Sequence, residues 1–297
     1  MDKKNWVFAG FLLASSLIVV FYSLNSFSTN EERTTYKVGA WETPRYLSFA
    51  GEVVPINDID VREKFDREIL INTYWHSQSL LLIKRTSRWF PIIEPILKEH
   101  GIPNDFKYLA VIESGLDLNA RSPSGAVGFW QFLKGTGKEY GLRINSEIDE
   151  RRHLIKSTIA ASKYLKNAKE KLGNWTLAAS GFNAGVPKIK KQMERQKAKS
   201  YSALYLNTET SRYVYRILAL KEVLNNMYKY GFDIKKEDLY MPYQTKDVIV
   251  SGSIKSIPDF AKEHRTNYKM LKILNPWLMK TYLSNPDSLD YTILIPH

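Results

Sequence analysis

Glu113 ends an apolar run, Asp105-Phe-Lys-Tyr-Leu-Ala-Val-Ile-Glu113. Phe106, Leu109, Ala110 and Glu113 recur at i, i+3, i+4 and i+7, one face of a helix. A helix apolar nearly all round is a buried one, so the spacing puts a carboxyl on an apolar stripe at a helix C-terminus. Desolvation disfavours the anion there, and so does the negative end of the helix dipole. A carboxylic acid held protonated near neutral pH is a general acid, the group that a glycosidic oxygen needs as its bond breaks. The competing reading is a helix-terminal glutamate turned to solvent, since surface glutamates are common.

Other segments offer partners for such an acid. After Glu113-Ser114-Gly115 comes a turn-rich run to Arg121-Ser-Pro-Ser-Gly125, then Ala126-Val-Gly-Phe-Trp-Gln131. Gly128 would let backbone approach a ligand closely. Phe129 and Trp130 offer flat apolar faces, and Gln131 offers a donor and an acceptor together, a set that suits sugar rings. In Ser180-Gly-Phe-Asn-Ala-Gly185 a helix ends at Asn183. Glu209-Thr-Ser-Arg-Tyr213 opens a further helix, with Tyr213 on the stripe of Ile217, Leu220 and Leu224. Its ring is expected to face inward with a hydroxyl that needs a partner. Each aromatic taken singly reads as core packing.

Taken together, these segments resemble the soluble-lytic-transglycosylase domain, glycoside hydrolase family 23, whose fold is like goose-type lysozyme. The family pattern runs Glu-Ser, Gly-x-x-Gln, Ala-Tyr-Asn-Ala-Gly and Glu-Thr-x-x-Tyr-Val. Here it reads Glu113-Ser114, Gly128-Phe-Trp-Gln131, Gly181-Phe182-Asn183-Ala184-Gly185 and Glu209-Thr-Ser-Arg-Tyr213-Val214. The text around these motifs is most similar to the membrane-bound lytic murein transglycosylase D type, over roughly residues 60–297. Phe182 departs from the family's Tyr and removes one hydroxyl contact to substrate.

The resemblance implies a peptidoglycan lyase. Glu113 would protonate the oxygen leaving the β-1,4 bond between N-acetylmuramic acid and N-acetylglucosamine. It would then take the C6 hydroxyl proton as a 1,6-anhydro ring closes, acting as acid and then base. Ser114, Gly128, Trp130, Gln131, Phe182 and Asn183 would contact substrate, and Tyr213 would orient Glu113. A hydrolytic muramidase usually needs a second carboxylate about 5 to 9.5 Å from the first. Asp117, Asp149 and Glu150 are the candidates, each also readable as a cap or a surface charge. A non-catalytic wall-binding protein is the other alternative, and the intact Glu113 argues against it.

The elements that must position these residues are mostly helical. Helices are expected over 65–83, 90–100, 105–113, 157–172, 176–183 and 210–230. Gly101 and Pro103 stop the second, and Asn104 or Asp105 is placed to cap the third. From residue 246 the character changes. Asp247-Val-Ile-Val-Ser and Tyr291-Thr-Ile-Leu-Ile-Pro296 read as strands flanking short helices at 257–264 and 267–274. This β-α-α-β unit is similar to a LysM module, a glycan-binding fold, and Leu271-Lys-Ile-Leu-Asn275-Pro-Trp277 carries the likeness. Ser251-Gly-Ser-Ile254 stands where the usual Gly-Asp-Thr-Leu opening would be, so a cap without sugar affinity is the alternative.

Residues 6–24 are an uncharged apolar stretch, long enough for one bilayer crossing. Lys3 and Lys4 precede it and Glu31 and Glu32 follow, which places the N-terminus inside and the rest outside. No small-x-small cleavage site follows, so an uncleaved anchor is expected rather than a signal peptide. The expected organisation is an anchor at 1–25, an extracytoplasmic stalk at 26–60, a mainly α lysozyme-like domain at 61–240 and a separate LysM-like module at 246–297. The protein would sit in the inner membrane with its catalytic domain in the periplasm.

The chain has 297 residues and a formal net charge of +12. Its lysines and arginines are dispersed, so the charge points to an anionic membrane or wall polymer rather than nucleic acid. With no cysteine, disulfides, thiolate metal sites and Cys nucleophiles are excluded. The histidines lack metal-ligand spacing and no phosphate-binding glycine loop occurs, so no metal or cofactor is expected.

Overall fold

The computed structural model describes residues 38–297. Within them, residues 41–297 form one compact unit. Residues 6–24 lie outside the described residues. Among those described, no helix is long and apolar enough to cross a membrane.

The folded body begins earlier than the sequence implies. Part of the expected stalk is an antiparallel hairpin, β1 (Leu47–Phe49) and β2 (Glu52–Val54), with Leu47 paired to Val54. Leu47, Phe49, Val54 and Ile56 are buried in the main core. The hairpin also closes hydrogen bonds that the helices need. Glu52 accepts from the Thr176 amide at 2.9 Å, and Ala50 N–H donates to Asp105 at 2.7 Å. Asp105 is therefore not the expected helix cap. Its carboxylate ties the hairpin to Lys221, whose ammonium lies 2.7 Å away.

Helix α1 (Ile59–Tyr74) starts at Asp58, which caps the amides of Asp60 and Val61. The chain breaks at Trp75 and continues as α2 (His76–Glu99). The expected break between residues 83 and 90 does not occur. Pro91 and Pro95 each remove one backbone donor, yet α2 runs through them because Leu82, Ile83, Ile93 and Leu97 are buried along its length. A short turn then leads into α3 (Lys107–Ser114), which Gly115 terminates in the left-handed region.

The remaining helices of the body are α4 (Lys134–Glu139), α5 (Leu154–Leu172), α6 (Trp175–Ala184), α7 (Val186–Gln196) and α8 (Thr208–Asn225). Helix α8 is central and packs on α1, α3 and α6. Its apolar face buries Tyr213, Ile217, Leu220 and Val223.

The C-terminal part has the expected β-α-α-β order: β3 (Thr245–Val250), α9 (Ile257–Glu263), α10 (Tyr268–Leu274) and β4 (Tyr291–Pro296). The strands pair antiparallel, Thr245 opposite Pro296 and Val250 opposite Tyr291. Tyr291, Ile293 and Ile295 alternate inward, the period of two that half-buried strands require. This part has its own apolar cluster, but Ile148 from the helical body belongs to that cluster too. The connecting segment is also held. Arg88 donates to the Met241 carbonyl at 3.0 Å and lies 4.4 Å over the Tyr243 ring.

Candidate active site

Helices α3, α6 and α8 converge on a cleft of about 420 Å³ whose walls include Glu113, Gln131, Phe182, Asn183 and Glu209. Glu113 comes from the last turn of α3. The Tyr213 hydroxyl, from α8, donates to Glu113 Oε1. Burial pushes the Glu113 carboxyl up to about 7, well above the ordinary 4.5. The Tyr213 hydrogen bond and the Arg216 charge pull it back, and the Glu209 charge adds to the rise. Desolvation wins because the stripe carrying Glu113 is packed. Phe106, Leu109 and Ala110 are fully buried.

Tyr213 is itself buried, and its own ionisation is raised well above the phenol range, first by that burial and then by the Glu113 charge. It therefore remains a donor at every pH where the carboxyl works.

The partners on α8 follow from helix spacing. Asn207 caps the helix by accepting from the Thr210 amide at 2.8 Å. Glu209, Tyr213 and Arg216 then fall at i, i+4 and i+7 on the face toward Glu113. Helix α6 supplies Asn183 at its C-terminus. Its amide donates to Glu209 at 3.3 Å, and its oxygen accepts from Thr210 at 3.0 Å. Asn183 thus spans from one cleft helix to the other.

Gln131 sits in the left-handed region, with φ of 47°. Its side-chain nitrogen donates to the carbonyls of Gly128 at 2.8 Å and Ala120 at 3.2 Å. Two carbonyl acceptors fix the amide's orientation and leave Oε1 as the acceptor offered to a ligand.

Several expected contacts are placed elsewhere. The Ser114 hydroxyl donates to Ala110 of its own helix at 3.0 Å, and Ser114 does not line the cleft. Trp130 is fully buried, its indole N–H donating to Thr158 at 3.0 Å, so it is a core residue rather than a platform for a sugar. Its ring meets Phe182, which does reach the cleft and packs 5.1 Å from Tyr164. Gly128 allows a close approach, but to this chain. A Cβ there would stand 1.9 Å from the Arg151 carbonyl oxygen.

The cleft also holds residues that the pattern did not single out. Glu209 opens the fourth motif and its helix, but the pattern assigns it no role of its own. Tyr164 lines the wall and donates to the Gly181 carbonyl at 2.9 Å. Its spacing on α5 carries no signal beyond core packing. The other carboxylates weighed as a second acid have structural roles. Asp117 caps a turn through the Asn119 amide at 2.8 Å. Asp149 is buried against Arg151, and Glu150 accepts from the Arg143 amide at 2.7 Å. Among the described residues, no cluster of acidic or histidine side chains is arranged to hold a metal ion.

This geometry lies largely within residues 90–205, which match the family model described as the transglycosylase SLT domain. Residues 246–297 match the soluble lytic transglycosylase C-terminal LysM-like domain. Membrane-bound lytic murein transglycosylase D of Escherichia coli K12 is 30% identical over 190 residues, 62% of this chain and 41% of that relative's length. Of solved structures, lytic transglycosylase Slt of Pseudomonas aeruginosa is 18% identical with a TM-score of 0.39, over 50% of this chain and 26% of that one. The 70 kDa soluble lytic transglycosylase of Escherichia coli is 19% identical with a TM-score of 0.38, over the same shares of each chain, 50% and 26%.

Two consequences of the acid's environment are measurable. Tyr213→Phe removes a donor that favours the Glu113 anion, so the carboxyl should rise further above about 7. The alkaline limb of the rate profile should then move to higher pH. Turnover at the optimum should fall only about 2- to 12-fold, the equivalent of one hydrogen bond of about 0.5–1.5 kcal/mol. An unmoved limb would mean that the phenol does not touch the ionising group.

The second concerns stability. A carboxyl that ionises near 7 when folded and near 4.5 when unfolded contributes nothing below pH 4.5. As pH rises through that window it costs folding free energy, reaching roughly 2 kcal/mol above pH 7 after allowance for partial exposure. Glu113→Gln should therefore stabilise the protein at pH 8 and leave it unchanged at pH 4. Denaturant midpoints at the two values check the sign.

Proposed function

We propose that this protein is a peptidoglycan lytic transglycosylase that cuts between N-acetylmuramic acid and N-acetylglucosamine and leaves 1,6-anhydromuramic ends. The observation that carries this reading is Glu113, a carboxyl held near pKa 7 in a cleft by burial, with Tyr213 fixing one oxygen. Glu113 gives its proton to the leaving glycosidic oxygen as the bond from muramyl C1 breaks. The muramyl C6 oxygen then bonds to C1, and its proton passes to the Glu113 carboxylate. The acid is restored within one turnover, and no water enters. Gln131 Oε1 and the Asn183 amide provide polar contacts to the sugar, and Phe182 provides an apolar face.

Glu209 favours a second reading, hydrolysis, because it places another carboxylate in the same cleft. Product analysis on murein sacculi separates the two. Anhydro ends support the lyase, and reducing ends that incorporate labelled water oxygen would assign the protein to the muramidases. Glu209→Gln should leave the anhydro product in place if Glu113 works alone.

The apolar stretch at 6–24 and its flanking charges support an anchor in the inner membrane with the catalytic domain in the periplasm. A C-terminal tag accessible to protease once the outer barrier is opened is the expected result, and a protected tag would reverse the topology. The C-terminal module is proposed to contact glycan strands, which sedimentation with sacculi tests.

A further inference from the structure

The loop at residues 122–133 brings Ala126, Gln131 and Phe132 to the cleft, and its regular pairing is limited to isolated bridges, Arg121 with Val127 and Val127 with Phe132, supplemented by local turn hydrogen bonds. Arg151 ties the loop to the rest of the fold. The guanidinium is buried and binds Asp149 through two hydrogen bonds, Nε at 2.8 Å and Nη2 at 2.7 Å. Its remaining nitrogen, Nη1, donates to Gly125 O and to Phe132 O, each at 3.1 Å. Those carbonyls belong to two separate parts of the cleft loop. The Arg151 backbone carbonyl meanwhile packs on Gly128 so closely that no side chain fits between them.

The segment that carries Arg151 is fastened in turn to the C-terminal module. Asp149 N–H donates to the Trp277 carbonyl at 2.9 Å, and Met279 N–H donates to Glu147 O at 2.7 Å. The Glu147 carboxylate accepts from Ser284 N–H at 2.8 Å and from its hydroxyl at 2.9 Å. Ile148 is buried in the module's own apolar cluster. A planar fork with five donors in a fixed geometry is suited to holding both carboxylate oxygens and two carbonyls at once, four acceptors for which a lysine ammonium has only three donors.

We propose that Arg151 is a positioning residue for the cleft, and that through it the docked C-terminal module fixes the loop that presents Gln131. The module then acts on the chemistry itself and does more than retain the enzyme on the wall. The kinetic part of this inference rests on the transglycosylase reading, and the structural part does not.

The test uses the full chain with Arg151→Lys, and with Ile148→Ala, which loosens the seat of the Arg151 segment on the module without touching the guanidinium. Hydrogen exchange at the Val127, Gly128 and Gln131 amides should speed up at least tenfold in both, with α3 and α8 amides as protected as in wild type. Turnover of a short soluble murein glycan should fall roughly 100-fold in Arg151→Lys, the effect of misplacing a contact by about an ångström. The fall should be smaller in Ile148→Ala. The alkaline limb set by Glu113 should not move, because Arg151 touches neither Glu113 nor Tyr213. Unchanged exchange in the cleft loop overturns the proposal, as does a loss of protection shared with α3 and α8, which would make Arg151 a general stability residue. If the wild-type protein releases no anhydro product while the exchange pattern appears, the transglycosylase reading fails and the coupling of module to cleft stands.

Discussion

Glu113→Gln should abolish formation of anhydromuramic ends. The substitution keeps the shape of the side chain and an oxygen for the Tyr213 hydroxyl, so the cleft should persist. It removes a proton donor whose ionisation burial raises into the working range, to about 7. General acid or base loss alone typically costs ~10²–10⁴ in rate. In the proposed reaction one group serves both transfers, so the loss should lie at or beyond the top of that range. In the wild type the donor is the protonated form. Since burial raises the pKa, that form survives up to about pH 7, and turnover should decline as pH rises through this value. Asp117→Asn supplies the contrast. Asp117 is exposed and holds only a local turn, so its rate should stay within a small factor of wild type. Release of anhydro ends, followed by mass spectrometry across pH, measures all three. Near-normal turnover by Glu113→Gln would falsify the one-carboxylate mechanism.

Gly128→Ala should be the most damaging single-methyl change in the cleft loop. Two independent costs meet there. The backbone sits at φ +81°, which an L side chain rarely adopts, and the added Cβ would lie 1.9 Å from the Arg151 carbonyl oxygen. The obstacle is backbone and not the flexible end of a side chain, so relief requires the loop and the Arg151 segment to separate. Left-handed strain of about 1–2 kcal/mol plus overpacking of about 1–3 kcal/mol gives a loss near 3–4 kcal/mol. For a domain of this size that lowers the melting temperature by roughly 10 °C. Gly125→Ala is the control, because it shares the positive φ, +84°, but has open space around a Cβ. It should lose only the conformational part. Equal melting temperatures for the two variants would show that the approach of Arg151 to Gly128 is not rigid.

The kind of chemistry was legible in one dimension because local periodicity encodes it. The stripe ending at Glu113 implies a buried acid wherever a helix packs, and the place of Tyr213 on the stripe of Ile217, Leu220 and Leu224 implies an inward hydroxyl that needs an acceptor. The β-α-α-β order of the C-terminal part was also readable, since strand alternation is a local signal. Which side chains meet was not readable. The Tyr213 hydroxyl finds Glu113 across 100 residues of chain, and Glu209 enters the cleft only because α8 lies beside α3 and α6.

Burial likewise belongs to the tertiary structure. Trp130 looked like a sugar platform and is core, because its indole N–H finds Thr158 on α5. Gly128 looked like room for a ligand, and that room is filled by the Arg151 carbonyl. The segment before residue 60 looked like a stalk because three-residue strands show too few alternations to register. Its inclusion in the fold depends on acceptors and donors supplied by Asp105, Thr176 and Lys221, far along the chain. The sequence by itself determined an acid on an apolar helix and the elements around it. Only the packing of those elements decided which groups desolvate that acid, which one holds it, and which residues the cleft leaves accessible, because desolvation and contact depend on neighbours that are distant in sequence.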